Sequence, residues 1–478
     1  MRRSWFAPVL LALVVVLGLV SGSIAFATSG PTAATTATAT AGHNEDIHSD
    51  NIKMLTRKPI RVGKGINGQG SDMAFAGKRA YAGSYQGTAL YKIIAPRNGH
   101  LKQIGFHQCP GSQGDISVWG TFVFVSIDAP GSNNQENATC NNTKATGFKT
   151  AEKSTGLEGI RVVDYSNPKQ PKQVAFVSTK CGSHTHTLVP DGETVYMYVE
   201  AYPISQTGDC NQVTGHGEVD ILSFPANDPS KLKIAGALDV SRGPLPNDPP
   251  IGCHDLQAWP ERDIVIAACI TEAQVWNIEN PAKPEILARI TNPEVQIWHS
   301  AAFTWDGKYA IISDEYGGAA GGGGCAGDKD SMIGAMWFYN IEDPSNPSLE
   351  GHYSLPRVPP PPHTQDESAF YRCTTHIYTI LPMKNGKYIA VSSYYRGGIS
   401  AVDFSDPADP QEIGYYLQYP NGVLPDTWSA YWYNGKVYTN DHLSGLGVGV
   451  FRVKGLRHRQ VHFYAGGLNP QTQVARFK

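Results

Sequence analysis

His184, His254, His299 and His376 each head an apolar segment that turns on a short polar pair and returns as a second apolar segment. The four stretches read HTHTLVPDGETVYMYVE, HDLQAWPERDIVIAACI, HSAAFTWDGKYAIISDE and HIYTILPMKNGKYIAVSSYY. Neutral imidazoles converging on a water-accessible cavity suit first-row metals, with copper and zinc the candidate cofactors here. Two acids return toward the same positions. Counting across Asp306-Gly307 puts Asp314 opposite His299, and counting across Asp191-Gly192 puts Glu200 near His184. Both counts assume two-residue turns, and a slip of one residue would flip a side chain to the other face. The candidate ligands are thus His184, His254, His299 and His376, joined by His186, with Asp314 and Glu200 as further ligands or as acceptors behind the imidazoles. The other reading is that these histidines line a hydrated channel and hydrogen-bond to backbone or carboxylates. Copying a repeat aligns its residues whether or not a metal uses them.

A repeat fold would bring residues so distant in sequence to equivalent places around one axis, which makes a shared site possible. A second motif recurs after the hairpins: VVDYSNPKQP at 162–171, VWNIENPAKP at 275–284, WFYNIEDPSNP at 337–347 and AVDFSDPADP at 401–410, with a weaker LSFPANDPSKL at 222–232. The Asx-Pro step suits a turn, because proline fixes its own φ, disfavours helix in the residue before it and removes a donor. One unit is therefore strand, polar turn, strand, variable loop, strand, Asx-Pro turn, strand, over roughly 50–63 residues, which is the sequence sign of a β-propeller blade. Seven blades are expected, opening near Asp72, Asp115, His184, His254, His299, His376 and Trp428. Six or eight stay open, since 58–70 and 456–465 could complete a blade or decorate the rim. Ring closure is expected to join strands from both chain ends, removing an exposed sheet edge.

In a propeller the first strand of each blade lines the channel, so its opening residues lie at one mouth, and the second strand returns there. The longest departures from the repeat, 129–157, 202–216, 316–334 and 357–372, crowd this histidine-bearing face, as binding loops on a rigid scaffold do. Asp72 and Asp115 stand where later blades carry histidine, and Asp441 and His442 end a strand of the last blade. His363 lies in a proline-rich loop. The cysteines obey the same geometry: Cys109, Cys181, Cys253 and Cys373 precede first strands, while Cys140, Cys210, Cys269 and Cys325 follow second strands. The expected pairs are Cys109–Cys140, Cys181–Cys210, Cys253–Cys269 and Cys325–Cys373. Thiolate ligation beside His184 and His254 is the alternative, against which stand the lack of a Cys-x-x-Cys pair and the signs of export.

Strands such as IRVVDYSNPKQP and ISAVDFSDPADP resemble the LVIVD repeats of a family of β-propellers, many of them exported bacterial proteins. The resemblance covers about residues 70–465 and implies the fold without a single activity; the third blade departs with ANDPSKL, and the first and last lack the double-proline turn. CHDLQAWPERDIVIAACI is more distantly similar to the histidine-bearing blades of selenium-binding protein and methanethiol oxidase, propellers associated with copper and thiol oxidation. That likeness implies a ligand role for His254 and, through the repeat, for His184, His299 and His376; the family's full histidine pattern is not found here.

Composition agrees with an all-β class. The 478 residues are 41% hydrophobic and 17% charged with a formal net charge of −3, so a large core is within reach and the basic footprint of a nucleic-acid binder is missing. Arg2 and Arg3, an apolar run over about 6–20 and Ala25-Phe26-Ala27 read as a secretory signal peptide over 1–27; an uncleaved anchor is the rival. Residues 28–57 read as a Thr/Ala-rich flexible leader and 58–478 as one propeller domain. No nucleophile elbow, His-Glu-x-x-His, dinucleotide fingerprint or phosphate loop occurs. The expected function is a secreted binding or interaction scaffold that holds a protein or small-molecule ligand at the loop-rich mouth. It has no membrane span in the mature chain. The alternative is a copper- or zinc-dependent oxidoreductase or hydrolase using the same histidines.

Overall fold

A computed structural model describes residues 46–478 apart from 96–97, 112, 129–145, 148–157, 202–216, 242–251, 316–323, 360–371, 420–423, 444 and 475. The expected signal peptide, most of the expected leader, and the greater part of the four long loops fall outside the described residues. The described residues belong to one compact unit.

Seven sheets each carry four antiparallel blade strands in the chain order expected, six of them taking the four in order along the chain and the seventh taking three together with Ile52–Lys58. Their first strands are Gly70–Ala76, Ile116–Trp119, Thr185–Asp191, Asp255–Trp259, Trp298–Phe303, Tyr378–Ile380 and Thr427–Tyr433. Each of these touches the first strand of the next blade, and the seventh touches the first, so they form a closed ring around a channel. The fold is a seven-bladed β-propeller. Inner and middle strands are buried on both faces, as in Tyr309–Asp314, and read as near-continuous apolar runs. Outer strands such as Lys233–Asp239 alternate exposed and part-buried residues, because only one face packs on a neighbouring blade.

The chain seals the ring with its N-terminal part. Ile52–Lys58 pairs antiparallel with Val448–Val453 as the outer strand of blade 7, and Ile47–His48 adds to the outer edge of blade 6. Closure by both chain ends is as expected, but the leader boundary at residue 57 is too late. The propeller begins by residue 47. The signal was short: Ile52, Met54 and Leu55 are followed at once by Thr-Arg-Lys, and Ile52 alone of the strand is fully buried. The segment at 61–67 is a small separate hairpin, so it completes no blade.

The repeated Asx-Pro motif has a specific hydrogen-bond basis. Asp164, Asn277, Asn340 and Asp403 each accept, through Oδ1, the backbone N–H two residues on, at 2.7, 2.8, 2.9 and 3.1 Å. Three residues later Asn167, Asn280, Asp343 and Asp406 do the same at 3.2, 3.2, 3.0 and 3.1 Å. Two Asx turns in tandem thus satisfy the backbone between the third and fourth strands, and the prolines sit where no N–H is needed. Two of the turns press closely on the preceding blade: a Cβ added at Gly105 would run into the Pro168 carbonyl, and one at Gly351 into that of Pro407.

At the end of the channel opposite the histidines, the C-terminal segment crosses the mouth. Gly467–Leu468 pairs with Ala76 and Phe75 of blade 1. Asn469 exchanges hydrogen bonds with the Val118 backbone at 2.7 and 2.9 Å. Ala258 donates to Gln471 O at 2.9 Å and accepts from Gln473 N–H at 2.7 Å. The strap therefore ties blades 1, 2 and 4 together and floors the channel.

Candidate metal centre

The channel mouth collects the four histidines into one arc. Ring centroids lie 4.3 Å apart for His184 and His254, 3.8 Å for His254 and His299, and 4.4 Å for His299 and His376. All four rings are buried. Their neighbours along the arc follow from the blade order, since each heads the first strand of blades 3, 4, 5 and 6.

Hydrogen bonds at the rear nitrogens set the tautomers. His376 Nδ1 donates to the Trp428 carbonyl, which accepts only, so Nε2 carries the lone pair of the neutral ring. Ser300 Oγ donates to Asp255 Oδ2 at 2.8 Å and lies 2.7 Å from His299 Nδ1. With its proton committed to Asp255, Ser300 accepts from His299 Nδ1–H, and His299 Nε2 is again bare. His184 Nδ1 lies 3.0 Å from Asp128 Oδ1, and His254 Nδ1 lies 3.5 Å from Asp255 Oδ2. Carboxylate, hydroxyl or carbonyl behind each imidazole is the arrangement that orients metal-ligating histidines.

Burial pulls His299 well below the usual imidazole range, and the neighbouring His254 adds to it; His376 is lowered by burial and by His299. Burial works against a charge on His184 too, but Asp128 outweighs it and raises that ring. For Asp255, burial would raise the carboxyl; hydrogen bonding and charge from His254, with His299 and Ser300, hold it well below its ordinary value. His299 and His376 thus resist protonation, while the Asp255 carboxylate beside them is held ionised.

The four donors do not meet at one point. Among the described residues, ligand atoms within 4.8 Å of one another form two triplets, His254–Asp255–His299 and His299–Glu315–His376. His184 belongs to neither. Asp314 pairs with Trp298, and its Oδ1 accepts from Ile297 N–H at 3.0 Å. A bulge between Trp298 and Ala301 accounts for the shift: it places His299 outside the regular ladder, and the acid nearest its Nε2 is Glu315, with Oε2 at 3.6 Å. Glu200 pairs with Thr185 and accepts from its hydroxyl at 3.1 Å, while its backbone carbonyl takes the His184 N–H at 2.8 Å. Burial, with Asp255 adding, pushes the Glu200 carboxyl well up.

His186 turns away from the mouth. Its ring lies 2.6 Å from Ser117 Oγ and 2.8 Å from Ser126 Oγ, and burial lowers it to about 3. Asp72 and Asp115 sit deeper in the channel; Tyr431 donates to Asp72, and Gln471 of the strap donates to Asp115 at 3.0 Å. His442 bonds Asp426 Oδ2 at 2.9 Å, and Asp441 accepts the backbone N–H groups of Asp426 and Leu443. His363 lies outside the described residues.

Several residues at this site carried a signal too weak to isolate. Asp255 and Ser300 simply follow His254 and His299, and Glu315 follows Asp314. Tyr395 occupies the returning position of blade 6 at a left-handed φ of 46°, its ring 4.4 Å from that of His376. Trp428 packs on the same histidine at 4.5 Å, and His442 and Tyr85 extend this aromatic wall around the other half of the mouth. Arg372 lies over the Tyr395 ring at 4.1 Å.

Cys253–Cys269 and Cys325–Cys373 are disulfides, as expected. Cys109 and Cys181 are also disulfide-bonded, and their expected partners Cys140 and Cys210 lie outside the described residues. Among the described residues, no helix is long and apolar enough to cross a membrane.

No protein-family model matches this chain, and no curated protein matches it. Among solved structures it is similar to the β-propeller domain of Cps50 (Swd1) from Myceliophteria thermophila, with 9% identity, TM-score 0.49, and coverage of 84% of this chain and 99% of that one. It is also similar to hydrazine synthase of Kuenenia stuttgartiensis, with 12% identity, TM-score 0.49, and coverage of 82% and 97%. The propeller assignment itself rests on the strand pairing described above.

Proposed function

We propose that this is an exported propeller that binds its ligand at the histidine-bearing mouth, with a divalent metal ion held by the arc as part of the site. One observation carries the metal: His299 Nε2 is buried without a hydrogen-bond partner among the described residues, while the Asp255–Ser300 relay keeps its proton on the opposite nitrogen. A buried acceptor left unmatched costs about 1–3 kcal/mol, which coordination would remove. Export accords with the disulfides, and with the LVIVD-like turns, whose family includes many exported proteins. The ion would supply Lewis acidity or an activated water at a mouth walled by Tyr395 and Trp428. Protein purified without a His tag should contain stoichiometric zinc or copper by elemental analysis, and His376→Ala should lose it. Metal-free protein whose melting temperature is unmoved by either ion would refute the metal.

In that case the second reading stands, a metal-free binding scaffold. The Nδ1 contacts of His184, His299 and His376 favour it, since each ring already has a protein partner.

A further inference from the structure

We infer that the seat of the ion is the His299–Glu315–His376 triplet, with Glu315 as its anionic ligand. This rests on the metal reading above and adds which part of the arc is used and what charge it brings.

His299 Nε2 and Glu315 Oε2 lie 3.6 Å apart in a buried site. Both are acceptors: the Ser300 relay leaves Nε2 without a proton, and the carboxylate offers lone pairs only. Two lone pairs facing each other away from water repel, and a cation between them turns the repulsion into two bonds. The spacing fits. Ligands each about 2.0–2.1 Å from one ion, at tetrahedral to trigonal angles, stand about 3.3–3.6 Å apart. His376 completes the set: the Trp428 carbonyl holds its proton on Nδ1 and leaves Nε2 bare, and each of the three residues offers a ligand atom within 4.8 Å of the others.

The surroundings hold Glu315 for this role. Tyr395 donates its hydroxyl to Oε1, and Arg372 Nη1 lies 3.8 Å from the same oxygen. One carboxylate oxygen is therefore anchored from behind and the other is left facing His299, as outer-shell donors orient a ligating carboxylate. The rival triplet is poorer. Asp255 Oδ1 is without a hydrogen-bond partner among the described residues, but the carboxylate approaches His299 from the protonated Nδ1 side, with Oδ2 4.0 Å away and already accepting from Ser300.

Two imidazoles and one carboxylate form a donor set for a divalent first-row ion with coordination positions left open, as in His₂Glu zinc sites and non-haem iron(II) sites. A hard oxygen ligand disfavours Cu(I), so the carboxylate moves the expectation from copper(I) chemistry toward zinc or iron(II).

The test is zinc titration of chelator-treated, untagged full-length protein by calorimetry, with zinc-edge X-ray absorption on the loaded wild type. The wild type should bind one equivalent, with a first shell of two imidazoles and oxygen. Glu315→Gln, nearly isosteric but neutral, should weaken binding by roughly 100-fold or more, and Glu315→Asp by less. Wild-type zinc binding with Glu315→Gln affinity within about threefold would overturn this seat while leaving the metal reading intact. An all-imidazole shell would do the same, without depending on the folding of any variant. A wild type that binds none of zinc, iron(II) and copper in the same titration would remove both.

Discussion

Ser300 Oγ stands between His299 Nδ1, at 2.7 Å, and Asp255 Oδ2, at 2.8 Å, and joins the histidine of blade 5 to the acid that opens blade 4. Its single proton goes to the carboxylate, so the imidazole must donate. This relay, rather than the histidine alone, decides which nitrogen faces the mouth. Ser300→Ala removes the relay and leaves all four imidazoles in place. Zinc affinity should fall about 10–100-fold, the usual cost of losing an outer-shell partner of a ligating histidine. Competition titration against a chromophoric chelator measures it. An unchanged affinity would mean that the ring finds its orientation without Ser300.

Asp72 gives stability a pH dependence of unusual sign for a carboxylate. Burial raises its carboxyl from 3.8 to about 6, with Tyr431 opposing part of the shift and Asp115 beside it. Between those values the folded protein keeps a proton that the unfolded chain releases. Stability from this group is therefore complete below about pH 4, declines as pH rises through 6 and stays lower above it. The loss is on the order of 2–3 kcal/mol. Asp72→Asn, neutral at every pH, should gain stability over wild type as pH goes from 4.5 to 7.5. Urea unfolding of both proteins at those two pH values decides it, and an advantage that fails to grow with pH would count against the shift.

Most of the architecture is legible in the sequence because the propeller repeats its chemistry. The tandem Asx turns fall where Asn or Asp precedes proline, and the four histidines mark the heads of four first strands. What stays hidden has two physical causes. The bulge at His299 costs one residue of register, which no count across Asp306-Gly307 can detect, and that single residue separates Asp314 from Glu315. Contacts between blades, such as Tyr395 with Glu315 or Trp428 with His376, join segments that are not copies of each other in register, so no repeat announces them. Ile52–Lys58 escaped for a third reason: a lone outer strand buries one face only, and its lysines and threonine make it read as loop.

Gly351 shows how closely adjacent blades dock. A Cβ there would press on the Pro407 carbonyl in the turn of blade 6, and that carbonyl is backbone inside the second of the two tandem Asx turns. Gly351→Ala should therefore destabilise the fold by about 1–3 kcal/mol, as overpacking does. Gly386→Ala is a contrasting case: no atom lies within 4 Å of its added Cβ, so any cost there comes from its positive φ of 72° alone. Chemical unfolding of both variants separates the two mechanisms. A Gly351→Ala protein as stable as wild type would mean that the blades slide apart to make room.

The C-terminal strap offers the most local of these tests, because its hydrogen bonds can be assigned to single amides. The Ala258 N–H donates to Gln471 O at 2.9 Å, at the channel end of blade 4, where an inner strand has no other neighbour on that side. Gln471 also reaches up the channel to Asp115. A chain ending at Gly466 loses both contacts together with the pairing of Leu468 to Phe75, while all seven blades keep their four strands, including the closure by Ile52–Lys58. The truncated protein should therefore fold, with an unchanged far-ultraviolet spectrum and a lower melting temperature. In hydrogen exchange, the Ala258 amide should lose protection by one to several orders of magnitude, since its acceptor is gone and local opening no longer requires the strap to leave. Amides of the middle strand Ile264–Cys269 should exchange as before, because their partners lie within the blade. Uniformly faster exchange across blade 4 would instead make the strap a requirement for blade packing, and unchanged exchange at Ala258 would mean that another segment takes its place as the channel floor.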